Sequence, residues 1–411
     1  MKDSVKDMEA ATGSTHMIVV LCGTGGAPVA TEIRLIDDGT GLGHGVVELL
    51  DGSNAVRAAD APTPVTEADI DVTLSPLADI DGVFIEGPWG DDTVPASIHA
   101  VADRLLTRLT HHQLDRPVSE CRIHAAAVVD AQGTAALLLG HSGSGKSTLA
   151  AHLVHGGFDL LNDEQITLCR SDGSVGGFTR PVAIKAGGAG ALPLELAELA
   201  PDPDCTWLLP IRALNPAARH RLSARPVVSV MLGRDHVLAE PGQVEARPGS
   251  VRVEPVPPVE AFAMFCAHNL DLVRKPAEAL ADLAWLAATV PTVRLVYEDA
   301  DVAANAVRQL LDDPPSSPAA EWAVSSPKPD QHADSLPAPA IVAVDGRVLV
   351  EIDSEAFVYE PGERRLVALT ADGVTLWRAL PWRGVVSPEL RAFAEALVEV
   401  GVVRFPDESG A

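Results

Sequence analysis

The stretch Gly140–Thr148 reads GHSGSGKST, preceded by the apolar run TAALLL and followed by LAAHLVHGG. Gly140, Gly145, Lys146 and Ser147 occupy the fixed positions of the pattern G-x-x-x-x-G-K-[ST]. A buried strand before such a loop and a helix after it are the context in which the pattern binds phosphate. The sequence therefore predicts a phosphate-binding loop at the start of a helix, within a mixed α/β domain.

The residue types of this loop suit a nucleoside triphosphate. Glycines let consecutive backbone N–H groups turn toward phosphate oxygens, and the helix that follows adds the positive end of its dipole. Lys146 can place its charge on the β- and γ-phosphates, and the Ser147 hydroxyl can ligate Mg²⁺. We expect ATP and Mg²⁺ as cofactors, and we expect these residues to contact them: Gly140, Ser142, Gly143, Ser144, Gly145, Lys146, Ser147 and Thr148.

Two adjacent acidic residues, Asp163 and Glu164, follow the apolar run FDLL shortly after the loop's helix. Carboxyl ends of strands face the ligand in α/β sheets, so Asp163 should project toward the γ-phosphate. A carboxylate there can take a proton from an attacking hydroxyl or hold the metal. We predict Asp163 as catalytic group and metal ligand and Glu164 as a second catalytic carboxylate; which of the two is the base stays open.

Composition limits the classes of partner. The formal net charge is -26, so the average field repels nucleic acid and anionic lipid. Five scattered cysteines without a CxxC pair fit a reducing compartment better than a disulfide or zinc framework. The first ten residues do not resemble a signal peptide, and no apolar run reaches membrane-spanning length. We expect a cytoplasmic protein that binds neither nucleic acid nor membrane.

Hydrophobic periodicity divides the 411 residues into four segments. Residues 1–117 should form a small α/β domain, and residues 118–312 should form the phosphate-loop domain. Residues 313–339 are rich in Pro, Ser, Asp and Ala and indicate a linker. Residues 340–411 contain two alternating strand-like stretches, a helical face predicted over Leu366–Leu380, a second helix-like stretch and a terminal strand, which indicates a winged-helix-like domain.

The segment IHAAAVVDAQGTAALLLGHSGSGKSTLAAHLVHGGFDLLNDEQITL resembles the core of HPr kinase/phosphorylase and HPr-kinase-like serine kinases. The resemblance implies an ATP-dependent kinase that phosphorylates a serine hydroxyl on a protein or peptide, and a homo-oligomer. It places His124 at the family's histidine position and Asp163-Glu164 at its acidic pair. Glu164 stands where the family usually has Asp, and the glycine-rich signature linked to HPr binding and phosphate removal is not recognisable.

Downstream, TRPVAIKAGG resembles the R-P-x-x-x-K stretch of the same branch, with Arg180 and Lys185 at the basic positions. Both could neutralise developing phosphoryl charge, or they could be loop residues in solvent. An isolated His beside an apolar strand is often a core residue. Given the neighbouring match, we expect His124 to hydrogen-bond Asp163 and orient it.

The segment Val342–Phe405 resembles the PqqD-like peptide-recognition module of ribosomally made peptide pathways. That resemblance implies that a leader peptide adds as a strand to an open sheet edge, at Val348–Ile352 or a neighbouring strand. A winged-helix DNA binder is the rival interpretation, and the acidic balance disfavours it.

The preferred hypothesis combines both resemblances: the C-terminal module captures a precursor peptide through its leader, and the kinase domain phosphorylates a serine of that peptide. One alternative is a serine kinase acting on a small HPr-like carrier protein. The other is a non-catalytic, ATP-gated peptide chaperone or regulator.

Overall fold

The computed structural model describes residues 14–22, 29–51, 65–77, 82–115, 120–185, 188–197, 206–233, 251–327 and 341–405. They form two compact units. The first comprises residues 1–118, 123–255 and 293–315, and the second comprises residues 119–122, 256–292 and 316–411. No helix of the described ranges combines the length and the apolar character needed to cross a membrane.

The N-terminal part of the first unit is an α/β layer. Its elements are β1 (Ser14–Cys22), β2 (Val29–Asp37), α1 (Gly43–Asp51), β3 (Val65–Pro76), β4 (Gly82–Glu86), β5 (Asp92–Pro95) and α2 (Ile98–Asp115). The strands lie in sequence order, with β2 and β3 parallel and the other neighbours antiparallel. Leu35, Val72 and Ile85 of the sheet pack with Leu105 of α2 in one apolar core. The mixed α/β prediction is confirmed here.

The middle of the chain contains the elements that surround the glycine-rich loop. In order they are β6 (Cys121–Ile123), β7 (Ala126–Val129), β8 (Thr134–Leu139), α3 (Lys146–His155), β9 (Asp159–Asn162), β10 (Ile166–Cys169), β11 (Ser174–Gly176), β12 (Val182–Ile184), a 3-10 turn (Ala189–Ala191), α4 (Leu194–Ala197), β13 (Trp207–Leu209), α5 (Ile211–Leu214), β14 (Ser223–Gly233), β15 (Val251–Val256), α6 (Pro258–Ala267), α7 (Pro276–Thr289), β16 (Thr292–Tyr297) and α8 (Ala300–Asp312).

The central sheet places the loop and the acidic pair at the same edge. Its order includes β14-β8-β7-β9, with β14 and β8 parallel and β7 antiparallel to both β8 and β9. Two antiparallel steps make β9 run in the same direction as β8. The glycine-rich loop after β8 and the acidic pair after β9 therefore both leave the carboxyl ends of their strands.

The apolar pattern of Pro258–Ala288 alone predicts one long helical region, whereas the structure has two helices there, α6 and α7. A turn at Asp271, where Arg274 and Lys275 donate backbone N–H groups to its carbonyl, interrupts the helical run. Pro276 then begins α7, because proline suits the first turn of a helix, where its missing N–H is not needed. The apolar periodicity predicts the buried faces of the helices but not the break between α6 and α7.

The second unit contains β17 (Trp322–Ser325), β18 (Val342–Ala343), β19 (Val348–Ile352), β20 (Glu355–Glu360), β21 (Arg365–Leu369), α9 (Ala371–Arg378), α10 (Pro388–Glu399) and β22 (Val403–Arg404), together with α6 and α7. Its four-stranded sheet has the order β17-β19-β20-β21. Trp377, Leu376 and Ala394 pack against Leu349 and Val358.

Two features of this unit differ from the sequence-based expectation. β17 lies inside the stretch predicted as a linker, and it pairs with β19, so one side of Val348–Ile352 is already occupied. The helix predicted from Leu366 begins only at Ala371, because Arg365–Leu369 forms β21 and Thr370 caps the helix through the Gly373 N–H. Residues 328–340 of the predicted linker lie outside the described residues.

Candidate active site

The glycine-rich loop connects β8 to α3. Gly145 precedes α3 with φ at +95°, and Gly140 has φ at +151°, both in the region that favours glycine. A Cβ added at Gly140 would meet the Ser144 Oγ at 2.6 Å and the Leu232 carbonyl oxygen at 3.1 Å. The Tyr297 hydroxyl also donates to the Ser144 carbonyl at 3.1 Å. The backbone of the loop is thus closely packed at Gly140.

Lys146 begins α3 and folds back over the loop. Its Nζ donates to the carbonyl oxygens of Gly140 at 2.6 Å and His141 at 3.3 Å. Burial lowers the pKa of Lys146, against the charges of Asp163 and Glu164, which act to raise it. An ammonium group held this way can exchange main-chain carbonyls for phosphate oxygens.

Asp163 is almost completely buried at the end of β9. Its Oδ2 accepts the Ala183 backbone N–H at 2.9 Å. Burial raises its pKa from 3.8 to about 6, although the Ala183 hydrogen bond and the charge of Arg180 act to lower it. Among the described residues, Oδ1 has no hydrogen-bond partner.

Glu164 has a different environment from its neighbour. Its Oε1 lies 3.2 Å from the Nδ1 of His124, and its Oε2 lies 3.9 Å from Arg180. Burial acts to raise the pKa of Glu164, but the hydrogen bond with His124 and the charges of Arg180, His124 and Lys146 outweigh it, and the pKa is lowered. Glu164 is therefore held as a carboxylate.

The expected contact between His124 and Asp163 is not present. His124 Nδ1 lies 3.1 Å from the carbonyl oxygen of Glu164, in addition to its contact with the Glu164 carboxylate. The Asp163 carboxylate instead accepts the Ala183 N–H, and Glu164 is the partner of the imidazole. His124 thus orients the second acidic residue, not the first.

The predicted basic residues differ in their surroundings. Arg180 is buried beside Phe178, with its guanidinium carbon 6.0 Å from the ring centroid. Its Nε has no hydrogen-bond partner within the part of the chain that the structure describes. Lys185 instead reaches across to the loop, where its Nζ donates to the Ser142 Oγ at 2.6 Å.

One cavity of about 560 Å³ collects most of these groups. It is lined by His124, Ser142, Gly143, Gly145, Lys146, Ser147, Thr148, Asp163, Glu164, Ala183, Lys185 and Gly188. That volume lies in the usual range for a site that binds a small ligand. Gly140 and Ser144 belong to the same loop but do not line the cavity.

The donor set fits a magnesium ion held jointly with phosphates. Asp163, whose Oδ1 has no hydrogen-bond partner among the described residues, and Ser147 line the same cavity, and both offer oxygen ligands. Mg²⁺ usually takes one or two protein oxygens and completes its shell with phosphate and water. In the described residues no group of three His, Cys, Asp or Glu side chains is arranged to hold a metal.

No family model matches the chain. A segment of it is homologous to HPr kinase/phosphorylase. The HPr kinase/phosphorylases of two Clostridium botulinum strains, Eklund 17B / Type B and Alaska E43 / Type E3, are each 32% identical to this chain over 85 residues, 21% of its length. The homology is weak, and the chain spans only 28% of the length of these curated relatives.

A solved structure, the Hpr(Ser) kinase/phosphatase from Coxiella burnetii, is also similar to this chain. The match covers 46% of this chain and 94% of that one, at 12% identity and a TM-score of 0.24. A TM-score this low does not establish a shared fold.

Three contributors to the site could not be found by motif. Ala183 acts through its backbone N–H, and Tyr297 comes from a distant strand. Asn162 shapes the acidic turn, since its Oδ1 accepts the N–H groups of Glu164 at 2.6 Å and Gln165 at 2.8 Å. Only Asn162 carries a sequence signal, because asparagine before a turn commonly accepts the following backbone N–H groups.

Proposed function

We propose that this chain is an ATP-dependent kinase that transfers the γ-phosphoryl group of ATP to a serine hydroxyl. One observation carries the proposal: Asp163, a buried carboxylate with one oxygen that has no hydrogen-bond partner among the described residues, lines the same cavity as Lys146 and Ser147 of the phosphate loop. The partial homology to HPr kinase/phosphorylase supports the same reaction class.

In the proposed reaction, backbone N–H groups of the loop and the Lys146 ammonium hold the β- and γ-phosphates. Ser147 and Asp163 hold Mg²⁺, which supplies charge neutralisation on the phosphate oxygens when it is bound. The serine oxygen forms a bond to the γ-phosphorus, the bond from that phosphorus to the β,γ-bridging oxygen breaks, and ADP leaves. The serine proton passes to a carboxylate of the acidic turn.

Asp163 is the better base of the two carboxylates. Without a bound metal its pKa is raised to about 6, near neutral pH, where a general base combines an ionised form with useful basicity; Mg²⁺ on the same carboxylate would lower that value. Glu164 is stabilised as an anion by His124 and Arg180, so it holds a proton less readily. Glu164 instead organises the basic residues on that side of the cavity.

We further propose that the acceptor is a precursor peptide whose leader binds the second unit. There, β21 is the last strand of the sheet among the described residues, and it is bonded on one side only, to β20. An extended peptide can add to such an edge through main-chain hydrogen bonds. Because β17 covers β19 on its other side, β21 replaces Val348–Ile352 as the proposed receiving strand.

A carrier protein is the second candidate acceptor. The homologous segment belongs to enzymes named for HPr, a protein substrate, and this favours a folded small protein with a serine. In either case we propose a cytoplasmic enzyme and, from the family resemblance, a homo-oligomer. The acidic composition disfavours nucleic acid and anionic membranes as partners.

The test is phosphate transfer measured by mass spectrometry, with ATP, Mg²⁺ and either the short peptide encoded beside this gene or an HPr-like carrier. Asp163→Asn should abolish transfer while ATP still binds. If ATP binds and no acceptor gains phosphate, the non-catalytic regulator gains support and the kinase proposal fails.

The peptide edge has its own test. Consecutive residues of a strand direct their N–H groups to opposite sides. Of the two variants Val367→Pro and Ala368→Pro, one therefore removes a hydrogen bond to β20. The other, the outward variant, removes an N–H that points away from β20. The outward variant should retain its melting temperature and phosphorylate the leader-bearing peptide poorly. Equal activity of that variant would contradict recruitment through β21.

A further inference from the structure

A histidine of the N-terminal α/β layer is bonded to the ribbon that holds Asp163. His99, in the first turn of α2, accepts the backbone N–H of Leu208 on its Nδ1 at 3.2 Å. A backbone N–H can only donate, so this contact requires an unprotonated Nδ1. Burial lowers the pKa of His99 and favours that neutral form.

Leu208 is connected to the acidic turn through a strand pairing and a hydrogen bond. In the two-stranded ribbon of β12 and β13, Leu208 lies opposite Ala183. The Ala183 N–H then donates to the Oδ2 of Asp163 at 2.9 Å. Three consecutive contacts therefore join the imidazole of His99 to the carboxylate that the proposed reaction uses.

The same layer reaches the acidic turn by a second route. Phe178 and Leu208 are buried in the apolar core that α2 and the N-terminal sheet form. The Phe178 carbonyl oxygen accepts a hydrogen bond from the Asn162 side-chain amide, and Asn162 in turn fixes the N–H groups after Asp163. Asn162 and Asp163 are thus both connected to residues embedded in the N-terminal core.

We propose that the N-terminal α/β layer is part of the phosphotransfer machinery, with His99 as a positioning residue that orients Asp163 through the β12–β13 ribbon. The inference rests on the proposed function and assigns a task to a domain that carries no recognisable motif. Asp103, one turn further along α2, adds to the connection, since Arg180, Lys185 and Glu164 all act electrostatically on it.

The test compares three variants of the full chain. His99→Leu removes the acceptor and keeps a similar volume. His99→Asn places an amide oxygen close to the position of Nδ1 and can accept the same N–H. His111→Leu makes the same chemical change at an exposed position of α2, as the matched control.

Two measurements separate positioning from general damage. The first is the affinity for a fluorescent ATP analogue, with Mg²⁺ and with a chelator. His99→Leu should bind metal-free nucleotide like the wild type, because the loop is unchanged, while the gain in affinity on adding Mg²⁺ should fall several-fold. The second is steady-state phosphotransfer, where kcat should fall by about tenfold with an unchanged KM, as expected for a small misplacement of a catalytic group.

His99→Asn should recover most of both losses, and His111→Leu should show neither. The inference is overturned if His99→Leu keeps the full magnesium effect, or if His99→Asn is as impaired as His99→Leu. Equal loss of metal-free binding would also overturn it, since that result indicates disruption of the loop. If the wild type transfers no phosphate to any acceptor, the proposed kinase function fails, and the magnesium measurement still decides the role of His99.

Discussion

Replacing Asp163 by asparagine should abolish phosphotransfer and stabilise the fold at neutral pH. Burial raises the pKa of Asp163 from 3.8 to about 6. The folded protein therefore holds the proton more tightly than the unfolded chain does, and keeping this carboxylate ionised at pH 8 opposes folding. At about 1.4 kcal/mol per pKa unit the penalty is about 3 kcal/mol. Asparagine keeps the shape and an oxygen for the Ala183 N–H without the charge.

The pH dependence makes this expectation specific. A raised folded-state pKa contributes stability below the unfolded value and loses that contribution as pH rises through the folded value. The advantage of Asp163→Asn should therefore be absent below the unfolded pKa of 3.8 and complete well above the folded value of about 6. At pH 5 about half of it should remain. Urea denaturation of both proteins, followed by circular dichroism from pH 5 to pH 8, measures the difference.

Glu164→Gln is the matched control, because the neighbouring carboxylate has its pKa shifted in the opposite direction. The lowered pKa of Glu164 contributes stability above its unfolded value of 4.5, and that contribution disappears as pH falls through the folded value. Glu164→Gln should therefore destabilise the protein at pH 8. A destabilised Asp163→Asn, or a stability difference that does not change with pH, would refute the assignment of Asp163 as a buried, strained carboxylate.

Three further substitutions test the loop and the second unit. Lys146→Met should weaken ATP binding by at least about tenfold in titration calorimetry, since it removes the loop's ammonium group from the phosphates. Gly140→Ala should also weaken binding, because its new Cβ would lie 2.6 Å from the Ser144 Oγ; Gly133→Ala, at a positive-φ glycine with open space, controls for backbone strain alone. Asp271→Ala should lower the unfolding free energy of the second unit by about 3 to 5 kcal/mol, because it removes the carboxylate that lies 2.7 Å from the buried Arg122 guanidinium.

The sequence predicts the loop, the helix after it and the acidic turn because their signals are local. Gly140, Gly145, Lys146 and Ser147 lie within one short stretch, and strand and helix flank it. Asp163 and Glu164 follow a recognisable strand. The prediction that His124 contacts Asp163 was wrong because spacing along the chain does not distinguish adjacent carboxylates. Asp163 accepts the N–H of Ala183, which is distant in sequence, and His124 contacts Glu164.

Pairings between distant strands could not be predicted from the sequence for a different reason. The ribbon of β12 and β13 joins residues on either side of a turn and a short helix, and each strand has only three residues, too few to show a period. The pairing of β17 with β19 crosses a stretch whose composition indicates a linker. Such pairings depend on which distant strand has unpaired backbone N–H and C=O groups nearby in the fold. A local sequence pattern does not contain that information.

The opposite pKa shifts of Asp163 and Glu164 connect the fold to the proposed chemistry. Two adjacent carboxylates in water would titrate almost together, so neither would be suited to a separate task. Here burial with one main-chain donor makes Asp163 basic, whereas His124 and Arg180 keep Glu164 ionised. Neighbouring acids whose pKa values are pushed apart are typical of acid–base sites. The penalty of burying Asp163 is accounted for if that carboxylate holds Mg²⁺ or accepts the proton of a serine.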